Sequence, residues 1–281
     1  MTAVATQQAR PRTGAAGRRA GLGGTLRSEF TKIRSVRSTY WALALLIVAA
    51  LAWSIAFSAG TAAHWSQMSA QSRSGLDAAQ NSIIGLVLLG QLVIVVLGAL
   101  AMTAEYSTQA VRTSLTVMPR RVTWFTAKGA VFTVVASVIT VSAAFASFLI
   151  GQRLLAGVRA GAGLSQPGVL RAVLASAAFV VLCGLFSYGL GAMIRSTAGT
   201  ITAVYGFLLL VPQLARALPT PWYNDAVRWL PGGQFDGAIT SSGPEPISKY
   251  MFSTWGELAV FGGYTLIALL AGAILLQRRD A

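Results

Sequence analysis

The side chains able to do chemistry are few in this chain of 281 residues, and they are scattered. The one histidine, His64, and the one cysteine, Cys183, lie far apart, which gives no metal-ligand spacing. Cys183 sits in an apolar run without an acid or base beside it in sequence, and no HExxH pattern occurs. An enzyme needs a nucleophile with a base, or a metal site, and neither is legible here. A lone cysteine also rules out an intrachain disulfide. The phosphate-cradling pattern GxxxxGK[ST] is absent, so the chain has no conventional means of holding ATP. The one dense group of functional side chains is in residues 105–128, EYSTQAVRTSLTVMPRRVTWFTAK, where Arg112, Arg120, Arg121 and Lys128 face a single carboxylate, Glu105.

The flanks of that stretch say what positions it. Residues 82–104 before it and 129–152 after it carry no charge. Each can cross a hydrocarbon layer of about 30 Å at about 1.5 Å per residue. The whole composition agrees: 54% of residues are hydrophobic and only 11% charged, against roughly a quarter charged in a soluble domain. The charges gather in blocks between long uncharged runs, which predicts an all-α integral membrane protein. The alternating segments of about ten residues that mark a transmembrane β-barrel are missing. A net charge of +14 could point to nucleic acid, but the basic residues flank membrane spans, so no nucleic-acid partner is expected.

Taken in order, residues 1–24 form a basic, Ala/Gly-rich stretch without apolar periodicity, expected to be a disordered tail. Its charged leader is too long, and the following apolar run of about 20 residues too extended, for a cleaved signal peptide. Over 25–40, Leu26, Phe30, Ile33, Val36 and Tyr40 share one stripe of a helix, with Arg27, Lys32 and Arg34 off it. This reads either as an amphipathic helix in the headgroup layer of the lipid bilayer or as an ordinary basic flank. Six spans follow, at about 41–60, 82–104, 129–152, 172–194, 201–218 and 256–276. Gln91 is polar within the second, either an interhelical hydrogen bond or a pathway contact. The small-residue stretch GLFSYGLGA at 184–192 allows close helix approach, and Pro212 is expected to kink or end the fifth helix. The connection 219–255 is rich in Pro and aromatics, and PWYNDAVRWLPGG at 221–233 reads as a short interfacial or re-entrant helix.

Six spans put both termini on one side. Fifteen of the 22 Lys and Arg residues fall on that side and seven on the other, which predicts cytoplasmic termini and a cytoplasmic 105–128 connector. Within the connector a helix over 106–117, broken at Pro119, would present Leu115, Val117 and Met118 to a partner. Arg112, Arg120 and Arg121 would pair with carboxylates or lipid phosphates, or serve only as a basic flank. Glu105 closes the second span and is expected to bond to one of those arginines.

Two segments, SEFTKIRSVRSTYW at 28–41 and AEYSTQAVRTSLTVMPRR at 104–121, resemble the permease subunit of ABC-2-type transporters. The likeness is strongest to small bacterial permeases whose ATPase is a separate polypeptide. It covers about 25–281, which would form one transmembrane domain. The resemblance implies an N-terminal interface helix, a cytoplasmic coupling helix between spans 2 and 3, and a re-entrant exterior segment before span 6. Glu105, Tyr106, Arg112, Leu115, Val117, Met118, Pro119, Arg120 and Arg121 would then dock an ABC ATPase subunit. This chain would bind no cofactor itself; ATP and Mg would belong to that ATPase. A homodimer, or a heterodimer with a second permease, would enclose a pathway lined by spans 1, 2 and 5 and export substrate across the bacterial plasma membrane. The alternatives are a non-transporting scaffold or an ion-coupled carrier. The carrier is disfavoured because no ionisable group lies mid-span.

Overall fold

In hydrocarbon every backbone N–H and C=O must be satisfied within the protein, so each apolar run closes on itself as a helix. The computed structural model, which describes Gly24, Arg27, Thr31 and residues 37–107, 121–230, 239–241 and 252–279, contains six helices long and apolar enough to cross a membrane. They are α1 (Arg37–Ala63), α2 (Ala78–Tyr106), α3 (Arg121–Ala156), α4 (Val169–Ile194), α5 (Thr197–Ala215) and α6 (Thr254–Arg278). Most run past the uncharged stretches that predict them, because polar and basic flanks extend a helix as readily as apolar residues do. Among the described residues there is no strand. The outward side chains are apolar: Val48, Val138 and Ile267 are each at least 60% exposed, as a hydrocarbon-facing surface requires.

The core is built on α4, which packs against α6, α2, α3 and α5, while α1 packs on α2 and α3. Its small residues make this possible. A Cβ on Gly98 of α2 would lie 2.2 Å from the Gly184 carbonyl oxygen, so the two backbones touch there. Gly189 meets the backbone at Ala268 of α6, and Gly191 lies against Ala99 and Met102. Ser187 Oγ donates to the Val95 carbonyl at 2.7 Å, adding a polar tie between α4 and α2. An aromatic group fills the space between α4, α5 and α6: Phe186 packs on Phe207 and Phe261, and Phe207 meets the edge of Tyr264 at 5.2 Å.

Away from the charged helix ends near residues 107 and 121, α1, α2 and α3 are joined by buried polar side chains. Ser54 Oγ donates to the Ser147 carbonyl, Ser58 Oγ to Asn81 Oδ1, and Gln152 Nε2 to the Ala78 carbonyl and Ser82 Oγ. The loop between α1 and α2 carries two short turns of helix, Trp65–Gln67 and Ala70–Ser74. Asp77 caps α2, its Oδ1 accepting from the Gln80 N–H at 3.0 Å.

Two of the spans are not uniformly α-helical. Leu86–Gly90 in α2 and Gly206–Leu210 in α5 are single π-helical turns. The second lies just before Pro212, whose missing N–H cannot bond to the carbonyl four residues back. Widening the preceding turn accommodates that loss, so the proline neither ends the helix nor stands alone as its irregularity.

Of the predicted interface helix, Tyr40 belongs to α1 and is half exposed. Leu26, Phe30, Ile33 and Val36 lie outside the described residues, as do residues 1–23. The segment 221–233 contains a short helix, Thr220–Val227. Its Pro-Gly-Gly end also lies outside the described residues.

Candidate functional site

At one end of the bundle the connector between α2 and α3 leaves and returns, and five helix ends meet around it. Glu105, in the last turn of α2, is 8% exposed and forms an ion pair with Lys128 in the second turn of α3. An antiparallel helix pair brings these two positions together, and a buried carboxylate is tolerable there only with its countercharge beside it. The Lys128 ammonium also sits 5.3 Å from the centre of the Trp124 ring, a cation–π contact one turn back along α3. The partner seen for Glu105 is Lys128; of the connector arginines expected to bond to it, Arg112 and Arg120 lie outside the described residues. The opposed signs at the two ends of one predicted helical hairpin were the available signal.

Neighbouring contacts tie the other helix ends to the same place. Arg195 ends α4 in a left-handed conformation (φ 60°), and its guanidinium lies 4.8 Å from the centre of the Tyr106 ring. A left-handed non-glycine residue is costly, by about 1–2 kcal/mol, and here the turn directs the side chain onto α2. Ser196 then caps α5, accepting from the Gly199 N–H. Thr103 and Thr197 hydroxyls lie 2.7 Å apart across α2 and α5. Arg121 Nη1 donates to the Leu276 carbonyl of α6 at 3.3 Å. Beneath them, Tyr188 Oη donates to the Phe125 carbonyl and its ring stacks on Phe125 at 4.8 Å.

Of the residues predicted to dock a partner, Glu105, Tyr106 and Arg121 thus fall within one cluster. Arg112, Leu115, Val117, Met118, Pro119 and Arg120 lie outside the described residues. Arg195, Trp124 and Lys128 are the members that sequence reasoning missed. Gln91 is placed elsewhere, near the middle of α2 directly after its π turn, and is 7% exposed. Among the described residues its carboxamide has no hydrogen-bond partner, so the interhelical bond expected of it is not made by the side chain. The contact to a neighbouring helix runs through the backbone instead, Tyr205 Oη donating to the Gln91 carbonyl at 3.5 Å.

At the far end of the bundle a second tie joins segments distant in sequence. Asp77 Oδ2 accepts from both the N–H (2.6 Å) and the hydroxyl (2.9 Å) of Ser241. Arg171 Nη2 of α4 donates to the Ser241 carbonyl at 2.8 Å. Gly168, at φ 82°, is the residue this needs, because a Cβ there would lie 1.8 Å from that carbonyl oxygen. Ile239 is fully buried in the core. Asp77 and Gln80 at cap spacing were legible in sequence; their partner Ser241 was not.

Among the described residues no group of three His, Cys, Asp or Glu side chains could share a metal ion. No protein-family model matches the chain, and no curated protein matches it.

Proposed function

We propose that this chain is the membrane-spanning permease subunit of an ATP-binding-cassette transporter of the ABC-2 type. A separate ATPase subunit would drive it by docking on the connector between α2 and α3. The observation that carries the reading is the cluster of helix ends around that connector. Glu105–Lys128, Arg195 over Tyr106, and Arg121 on the Leu276 carbonyl link α2, α3, α4 and α6 around it. A push delivered to the facing ends of α2 and α3 would reach most of the bundle through these contacts. The basic content of the connector supports a cytoplasmic placement in a bacterial plasma membrane, with both termini on that side. Two permease chains would enclose an export pathway worked by alternating access, with a re-entrant exterior segment between α5 and α6. ATP and Mg would reside on the ATPase.

The direct test is affinity capture of the tagged chain from its own membranes in mild detergent, with mass spectrometry of what accompanies it. A stoichiometric protein with a Walker A motif is the expected result. An intact, monodisperse chain without one would overturn the proposal. Leu115→Asp combined with Arg112→Glu should remove the ATPase from the captured complex while the yield of the chain is unchanged; capture at the wild-type ratio would exclude docking at the connector.

A further inference from the structure

Between Phe207 and Trp229 the chain leaves the bundle and returns to the same residue. The Phe207 ring, in the π turn of α5, meets the edge of Tyr264 at 5.2 Å, and the Tyr264 hydroxyl donates to the Trp229 carbonyl at 2.9 Å. Both ends of this stretch are thus held by one side chain of α6. Phe207 also packs on Phe186 of α4, and the Trp229 ring meets that of Phe252, just before α6, at 5.3 Å. What lies between is two short helices, the Val211–Ala215 end of α5 and Thr220–Val227. Among the described residues these pack on each other and on the adjoining π turn, without extended packing on another span. Leu210, Leu214 and Trp222 are each more than 60% exposed, and of Val211–Ala215 Ala215 alone is buried.

The backbone makes the same division. The Arg216, Ala217 and Leu218 N–H groups donate to the Gln213, Leu214 and Ala215 carbonyls, Tyr223 donates to Pro219, and Trp229 and Leu230 donate to Ala226 and Val227. Each of these bonds closes within the stretch or at its edge. It can therefore shift as a body without stranding a backbone group in hydrocarbon, the constraint that otherwise holds a membrane chain in place. At its start stands a point of weakness. Helices bend at π turns, and Pro212 removes a further N–H directly after this one. Gly206, which opens the turn, has room around it, since a Cβ there would meet nothing within 4 Å. The part of α5 before the turn is fixed, with Thr197 on Thr103 and Leu208 buried in the core.

We propose that residues 209–228 form a flap at the end of the bundle away from the connector, which moves as one body hinged on the π turn of α5 and is pinned at its return by the Tyr264 hydroxyl. Tyr264 is a positioning residue in this device. Its ring steadies the hinge through Phe207, and its hydroxyl decides whether the returning end is held. With that bond made, the flap lies against α6; with it broken, the returning end is released while Phe207 stays on Phe186. Failure to capture an ATPase with the chain would leave the flap untouched, because its contacts are at the other end of the bundle.

Distances between nitroxide spin labels test it. The sole native cysteine, Cys183, is buried in the core and is first replaced by alanine. Pairs of labelled cysteines then go in at exposed positions. Leu170, at the start of α4, is paired with Leu214 in the flap or, as a rigid reference, with Leu266 of α6, the helix that packs most extensively on α4. The protein is placed in phosphatidylcholine proteoliposomes and diluted with the cysteine-free chain, so that each pair reports within one molecule. Double electron–electron resonance should give a Leu170–Leu214 distribution at least about twice as wide as the Leu170–Leu266 one, as a segment with few buried contacts requires. Tyr264→Phe, which keeps the ring and removes the hydroxyl, should widen the first distribution further and leave the second as it was. Equal widths with Tyr264 intact would overturn the flap, as would a Tyr264→Phe effect that is nil or common to both pairs. If Leu214→Cys is not monodisperse, Trp222→Cys reports on the same body.

Discussion

Lys128 shows how a single charge can be decisive in a bilayer protein. Its partner Glu105 is nearly buried, so removing the ammonium takes away the cation with which that carboxylate is paired. Breaking such a pair from one side costs about 3 kcal/mol or more. Lys128→Met should therefore lower the melting temperature in detergent by several degrees, and the charge exchange Glu105→Lys with Lys128→Glu should recover part of the loss. Equal destabilisation in the exchanged protein would mean that position, and not pairing, is what matters. Beyond the opposed signs at the two ends of one predicted hairpin, neither residue announces this in the sequence. Both lie at the edges of uncharged runs, where a basic residue reads as flank, and only the antiparallel return of α3 against α2 puts them together. The same holds for Arg195 and Tyr106. The bond is set by a left-handed turn that composition does not encode.

At the scale of elements, helix–helix contact is governed by what is missing from the side chain. Gly98 and Gly184 allow α2 and α4 to touch through their backbones. Gly98→Leu would place its side chain against the carbonyl of the facing helix, an overpacking worth about 1–3 kcal/mol. The substituted protein should melt earlier and elute as a broader species on gel filtration; an unchanged profile would show that α4 can slide to make room. The six helices were legible because long uncharged runs leave no other solution in hydrocarbon, and the close approach around 184–192 because glycine spacing advertises it. The π turns were not. Pro212 hinted at one of them, but nothing local marks Leu86–Gly90, and irregularity of that kind is settled by packing. The polar contacts joining α1, α2 and α3 were equally hidden, since Ser, Asn and Gln within or beside an apolar run do not reveal which neighbour they will meet.

The whole molecule divides its labour between two ends. One gathers charges around the connector, and the other holds the polar network and the Asp77–Ser241–Arg171 tie. If residues 1–20 contribute only a solvated basic arm, their removal should leave membrane insertion and assembly unaffected, checked by yield and gel-filtration profile. A loss of either would give that stretch a structural task.

The tie at Ser241 also bears on the order in which the protein is made. Its dock is composed of Asp77, Gly168 and Arg171, all of which leave the ribosome before residue 241 does, while α6 follows it. Chains mature from the N-terminus at about 5–20 residues per second. When Ile239 and Ser241 emerge, α2 and α4 have already been synthesised and can offer the place where they bind. Ser241 thus fixes the chain on α2 and α4 shortly before α6 begins, and every residue of that anchor precedes it in synthesis.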